Sequence, residues 1–198
     1  MGKLLAGNDG PTLGITSSLD MFNKLKYESR LLDNDLQNTY NAFNFIVTAW
    51  HLFNDWPKCE DKLNISRIKR QKKQIPLEIL LVLNAVRDLC NGSKHFTLEE
   101  KAANNRVINE VLTGNEIGPY EYFFHETTPA VKTKDGFYFP IRVLNNIVMS
   151  YFEWVFDDSI PASKFPPEII DAIKFCNIAK RTGSPPEIWS REPKKQQG

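Results

Sequence analysis

Between Tyr40 and Trp56 the chain reads YNAFNFIVTAWHLFNDW. Tyr40, Phe43, Val47 and Trp50 recur at i, i+3, i+7 and i+10, the repeat of one helical face. Phe45, Ile46, Leu52 and Phe53 carry apolar character past that face. A helix this apolar is central in its bundle or makes a second contact with a partner chain. Pro57 stops it, because proline has no N–H for the helical ladder. This segment sets the expected class, a mainly α fold.

Other segments follow the same period. Ser17 and Ser18 are cap residues for a helix carrying Leu19, Phe22, Leu25 and Leu32. Asp33-Asn34-Asp35 reads as a break, and Asn34 and Gln37 have the spacing of a capping box. Pro76 suits the first position of a helix with Leu80, Leu83, Val86 and Leu89 on one side, and Gly92 is its expected end. Thr97-Leu98-Glu99-Glu100 predicts a shorter helix closing near Gly114. Leu144, Ile147, Val148, Tyr151 and Val155 mark another helix. Pro166-Pro167 opens a last one with Ile169, Ile170, Ile173 and Cys176, ended by Lys180, Arg181 and Gly183.

One stretch departs from this pattern. YEYFFHE alternates, and Asp135-Gly136 stands between VKTK and FYF, the signal of a tight hairpin. Two or three short strands are expected between Tyr120 and Pro140. The predicted architecture is a helical bundle of about five to six helices with a small inserted β-hairpin. Residues 1–15 are expected to form a flexible arm, 16–182 a single helical domain with the hairpin near 120–140, and 183–198 a flexible tail with a candidate anchor at Trp189.

The 198 residues suit one domain with one sizeable core, and 41% hydrophobic content is that of a globular chain. No apolar run approaches the roughly 18 residues of a membrane span. The start has no charged segment followed by an apolar one, so no secretory leader and no membrane partner are expected. Cys59, Cys90 and Cys176 are an odd, widely spaced set, read as buried small residues in a cytoplasmic protein.

Several chemistries are excluded by their missing frames: no phosphate-binding glycine loop, no dinucleotide fingerprint, no HExxH, no GxSxG. No cofactor and no metal are implied. The net charge of +1 makes no global commitment to nucleic acid. Locally, seven basic residues stand against Glu60 and Asp61 between Lys58 and Pro76. Within that run Arg67, Lys69, Arg70, Lys72 and Lys73 are candidate RNA-binding residues, through their phosphates. The commoner alternative is a solvated loop.

The segment RDLCNGSKH, Arg87 to His95, concentrates polar groups at the end of an apolar helix. If the helix continues through Gly92, then Arg87, Asn91 and His95 fall at i, i+4 and i+8 on one face, and Asn84 joins them. That set suits RNA cleavage. Histidine gives or takes a proton near neutral pH, and arginine holds the phosphate and offsets its developing charge. If Gly92 ends the helix, these residues are a helix terminus and the following loop. His51 and Asp55, four apart, are read as a hydrogen-bonded pair across one helical turn; a polar pocket would require His51 to face His95. His125 is read as a strand residue.

The aromatic helix with Ala49-Trp50-His51-Leu52 and Asp55-Trp56, followed by the apolar helix ending RDLCNGSKH, resembles the HEPN-like superfamily of small helical domains. The likeness covers about residues 17–96. It implies a helical, often dimeric protein of a prokaryotic or phage defence or toxin system, many members being metal-independent RNases with a motif at a dimer groove. It further implies that Arg87 is the phosphate-binding arginine, His95 the catalytic histidine and Asp88 the polar residue that follows the arginine. Asn91 completes the candidate catalytic set. The family separates its arginine and histidine by four to six residues, and seven intervene here. The rival expectation is a non-enzymatic helical interaction module that binds a partner protein through aromatic surfaces.

Overall fold

The structure is a computed structural model and describes residues 13–56, 70, 75–94, 105–112, 128–161 and 164–182. Within them the chain forms α1 (Ser18–Asn34), α2 (Thr39–Asn54), α3 (Leu77–Lys94), β1 (Ile108–Leu112), β2 (Ala130–Thr133), β3 (Tyr138–Pro140), α4 (Ile141–Phe156), α5 (Pro167–Phe175) and α6 (Ile178–Thr182). It is a helical bundle with a small three-stranded antiparallel sheet, as the periodicity predicts.

α1 begins at a capping box. Ser17 Oγ accepts from the Asp20 N–H at 3.1 Å, and the Asp20 carboxylate accepts from the Ser17 N–H at 3.0 Å. The Thr16 N–H, the Ser17 hydroxyl and the Thr16 hydroxyl also reach that carboxylate, and together they hold its pKa below the usual value. A depressed pKa gives stability that is present above the unfolded value and is lost as the pH falls through the folded one. Asp20→Asn therefore lowers the melting temperature at neutral pH. The gap to wild type narrows below the ordinary carboxylate range, and melts across an acid series read this directly. A gap independent of pH would mean the ionised carboxylate adds nothing.

The turn after α1 differs from expectation in its cap. α2 is capped by Asn38, whose Oδ1 accepts from the Tyr40 and Asn41 N–H groups at 3.1 and 3.2 Å, not by Asn34. The extended backbone of Asn38 aims its amide oxygen at those donors, and Asp35 already closes α1. α1 and α2 run antiparallel: Lys24 meets Thr48 near one end, and Asn41 donates to the Leu31 carbonyl near the other. α1 and α4 are also antiparallel, with Phe22 stacked on Phe156 at 4.4 Å and Asn145 donating to Asp33 at 2.9 Å.

The core is built by Phe22, Leu25 and Leu32 of α1, Phe45, Ile46, Ala49 and Leu52 of α2, and Ile79, Val82, Leu83 and Val86 of α3. From α4 it takes Leu144, Ile147, Val148, Tyr151 and Val155, all five positions expected from the sequence. Cys90 and Cys176 are buried in it. Trp154 is buried, while Trp50 and Trp56 pack half-buried against its edge. Each buried side chain of this size contributes about 1.5–3 kcal/mol relative to exposure.

Two helical faces sit differently from expectation. On α2 the predicted stripe lies at the edge of the core: Tyr40 and Phe43 are exposed, Val47 and Trp50 are half-buried, and the buried row is Phe45, Ile46, Ala49 and Leu52. On α3 Leu80 is exposed and Ile79 takes its place in the core. Both segments are apolar on two sides, so period alone did not say which side turns inward.

The sheet order is β1-β2-β3. The hairpin of β2 and β3 turns at Asp135-Gly136, as predicted, with the Gly136 N–H donating to the Thr133 carbonyl at 3.1 Å and Gly136 at φ +80°. β1 was expected to be helix. It pairs instead with β2, Val111 opposite Val131 and Leu112 opposite Ala130, and Lys132 bridges to Glu110 at 2.7 Å. Thr97–Glu100 and the 120–126 segment lie outside the described residues. The last predicted helix is divided into α5 and α6. Between them, the Cys176 carbonyl accepts from the Tyr138 N–H at 2.9 Å, and Phe137 and Asn177 form a bridge. That segment covers the outer edge of β3, whose backbone groups would otherwise be left unpaired.

Candidate functional site

α3 is unbroken through Gly92 to Lys94, so Gly92 is not its end. Asn84, Arg87 and Asn91 consequently share one face, half-exposed, at i, i+3 and i+7. His95, the next residue in sequence after Lys94, lies outside the described residues. Of the four candidate catalytic residues, the structure therefore places Arg87, Asp88 and Asn91.

Each nitrogen of Arg87 has an acceptor. Its Nε and Nη2 donate to Asp88 Oδ1 at 3.0 and 2.8 Å, Nη1 donates to Asn84 Oδ1 at 3.1 Å, and Nη2 also donates to the Asn105 carbonyl at 3.0 Å. Asp88 is the more deeply placed partner, its side chain 5% exposed against 28% for Arg87. The other oxygen of Asp88, Oδ2, accepts from the Val107 N–H at 2.6 Å and the Ile108 N–H at 3.3 Å. One carboxylate thus performs two tasks: Oδ1 compensates Arg87, and Oδ2 docks the start of β1 on α3. Asn105, Val107 and Ile108 were missed in the sequence. Contacts at separations of 18 to 20 residues leave no local signal.

The course of the chain fixes where this cluster lies. Arg70, shortly before α3, rests on the C-terminal end of α4. Near the other end of α3, Asp88 holds β1, whose sheet leads through β3 directly into the N-terminus of α4. α3 is therefore antiparallel to α4 and, through α1, to α2. Because α2 and α3 pack together, the Tyr40–Phe43 end of α2 lies level with the Arg87–Asn91 end of α3. His51 lies near the opposite end, where α3 begins. There its Nδ1 pairs with Asp55 Oδ2 at 2.5 Å, and Asn54 donates to Asp55 Oδ1 at 2.8 Å.

Arg70 is the one candidate RNA-binding residue within the described part, and it faces inward. Its Nη1 donates to the Trp154 and Asp157 carbonyls and its Nη2 to the Ile160 carbonyl. The guanidinium carbon lies 5.3 Å from the centre of the Trp154 ring, and the residue is buried. A guanidinium enclosed this way satisfies the open carbonyls at a helix C-terminus and presents nothing to an external phosphate. This corrects the reading of Arg70 as an RNA contact. Arg67, Lys69, Lys72 and Lys73 lie outside the described residues.

Beside this clamp is a cleft of about 260 Å³ lined by Ser150, Glu153, Trp154, Asp157, Glu168 and Ile169, among others. The Asp157 carboxyl is held below the usual range, first by the Ser159 hydroxyl and N–H and then by the Arg70 charge. Burial pushes the Tyr151 phenol well above its ordinary value, and its hydroxyl has no hydrogen-bond partner among the described residues. Among the described residues no group of three His, Cys, Asp or Glu side chains is placed to hold a metal ion. Nor is any helix there long and apolar enough to cross a membrane. No protein-family model, curated protein or solved structure matches the chain.

Proposed function

We propose that this chain is a HEPN-like domain of a prokaryotic defence or toxin system that binds RNA and cleaves it without metal, working as a cytoplasmic homodimer. The observation that carries the reading is the continuation of α3 past Gly92, which aligns Arg87 with Asn91 on the face where the RDLCNGSKH segment runs out. Two features support a dimer. The outward residues Leu77, Leu80, Asn84, Arg87 and Asn91 follow heptad spacing, and so do Tyr40, Phe43, Val47 and Trp50 on α2. Four of their apolar members are open: Tyr40 and Leu77 are each 80% exposed, Phe43 41% and Leu80 38%, while Val47 and Trp50 pack half-buried against the core. A two-fold axis along such a seam brings two copies of Arg87 to one groove.

In this mechanism the 2′-hydroxyl of RNA attacks the adjacent phosphorus. The O2′–P bond forms, the P–O5′ bond breaks, and the products end in a 2′,3′-cyclic phosphate and a 5′-hydroxyl. His95 transfers the proton leaving O2′ or arriving at O5′, and Arg87 offsets charge on the non-bridging oxygens. Asn91 orients the phosphate by hydrogen bonding.

The test is cleavage of total RNA in the presence of chelator, with wild type, His95→Ala and Arg87→Gln, on protein whose mass by light scattering is that of a dimer. Expected are cyclic-phosphate ends and a loss of about 10²-fold or more in each folded variant. Absence of cleavage by the wild-type dimer, or cleavage indifferent to His95, overturns the reading. The same exposed apolar stripes favour a second one, a helical interaction module in which Arg87 and Asp88 only fasten β1 to α3. An inactive protein that forms a stable complex through Tyr40 and Leu77 would support it.

A further inference from the structure

The division of labour within the Asp88 carboxylate has a consequence for ligand binding. Every nitrogen of Arg87 already has an acceptor: Asp88 Oδ1 for Nε and Nη2, Asn84 for Nη1, and the Asn105 carbonyl for Nη2 again. Its charge is compensated by a carboxylate that is itself shielded from water. A phosphodiester arriving at this face meets a neutral pair, and it gains the two-pronged Nε and Nη2 edge of the guanidinium only by displacing Asp88 Oδ1. We propose that Asp88 sets the affinity of this face for phosphodiesters, holding Arg87 in a masked state that ligand binding exchanges for an Arg87–phosphate pair. The proposal rests on the RNA reading above and adds the group that opposes binding.

The geometry supplies a selective perturbation. The β1 contacts need only an acceptor, since Oδ2 receives two backbone N–H groups. The Arg87 contact needs the second oxygen and its charge. In Asp88→Asn the amide oxygen still accepts from Val107 and Ile108, whereas the amide nitrogen is a donor and cannot receive the guanidinium. The substitution keeps the strand docked and releases Arg87. Ordinarily, removing a neighbour of a binding arginine weakens binding; here it strengthens it.

The experiment is a fluorescence-anisotropy titration of the full chain with a fluorescein-labelled single-stranded 2′-O-methyl RNA, which cannot be cleaved through its 2′ oxygen. It compares wild type, Asp88→Asn, and Asp88→Asn combined with Arg87→Gln, each checked for folding by circular dichroism. Expected is a tightening of about tenfold in Asp88→Asn, the low end of what one charge-assisted hydrogen bond is worth. The log–log salt slope steepens by about 0.7, one further phosphate contact on a single strand. Both changes vanish in the double variant. A gain that persists without Arg87 comes from the lost negative charge alone and overturns the proposal. Equal binding by wild type and Asp88→Asn overturns it too while leaving the RNA reading standing. Absence of binding by both proteins sinks the RNA reading together with the proposal. If Asp88→Asn fails to fold, Asp88→Ser, which offers a shorter hydroxyl acceptor to the strand and none of the charge, carries the same comparison.

Discussion

Gly136→Ala is expected to cost about 2–5 kcal/mol, among the largest losses from adding a single methyl group to this chain. Two terms combine. Gly136 has φ +80°, where a Cβ meets its own backbone, at a cost of about 1–2 kcal/mol. A Cβ built there would also stand 2.4 Å from Cβ of Ala179, far inside contact distance. The Ala179 N–H donates to the Gly136 carbonyl at 3.3 Å, so the two backbones are held together and neither side yields easily. Overpacking of this kind costs a further ~1–3 kcal/mol. The measurement is a urea melt of wild type, Gly136→Ala, Ala179→Gly and the double variant. The double variant should recover the packing share and retain the backbone share. Strict additivity across the four proteins would mean that the contact between the hairpin turn and α6 is not what the glycine protects.

Arg70→Met should be comparably severe, a loss of about 3–5 kcal/mol. The guanidinium serves the carbonyls of Trp154, Asp157 and Ile160, where α4 ends and the chain turns toward α5. Methionine fills much of the volume beside Trp154, so the loss reports the abandoned acceptors, each costing about 1–3 kcal/mol when left unpaired. Arg70→Lys keeps the charge but cannot span three carbonyls with one ammonium group, and it should recover less than half of the stability. Denaturant melts of the three proteins decide this. A Met variant within about 1 kcal/mol of wild type would show that these carbonyls find water instead. Because Arg70 is turned inward, neither variant should change RNA affinity in the protein that remains folded.

Both predictions depend on contacts that join distant parts of the chain, and the same distinction separates what was legible in the sequence from what was not. The hairpin at Asp135-Gly136 was readable because turn chemistry is local: the glycine marks the position that needs a positive φ. The Ser17 cap and the α4 core row were readable for the same reason, each being a pattern within a few residues. The inward side of α2 was not. Tyr40, Phe43, Val47 and Trp50 match the helical period as well as Phe45, Ile46, Ala49 and Leu52 do, and the choice between them was made by packing against α1 and α3. β1 was read as helix because its pairing energy comes from β2, some twenty residues on, and from Asp88, some twenty residues back.

The candidate site divides in the same way. That Arg87, Asn91 and Asn84 fall on one helical face follows from spacing once the helix passes Gly92, and glycine inside a helix costs only about 1 kcal/mol, which a buried α3 absorbs. That Arg87 is compensated by Asp88, and that Arg70 closes α4 instead of meeting a phosphate, does not follow from any spacing. A charged residue reads as exposed in a sequence because burial without partners is prohibitive. Where partners exist the cost is met: Arg87 has the carboxylate of its chain neighbour Asp88, itself held by β1 N–H groups 19 and 20 residues on, and Arg70 has three carbonyls 84 to 90 residues away. The sequence alone determined the helical class, the hairpin and the helix faces, since these are set by backbone periodicity and turn chemistry. The tertiary structure decided which faces are buried and which charges are spent, because those depend on groups that only folding brings within hydrogen-bonding distance.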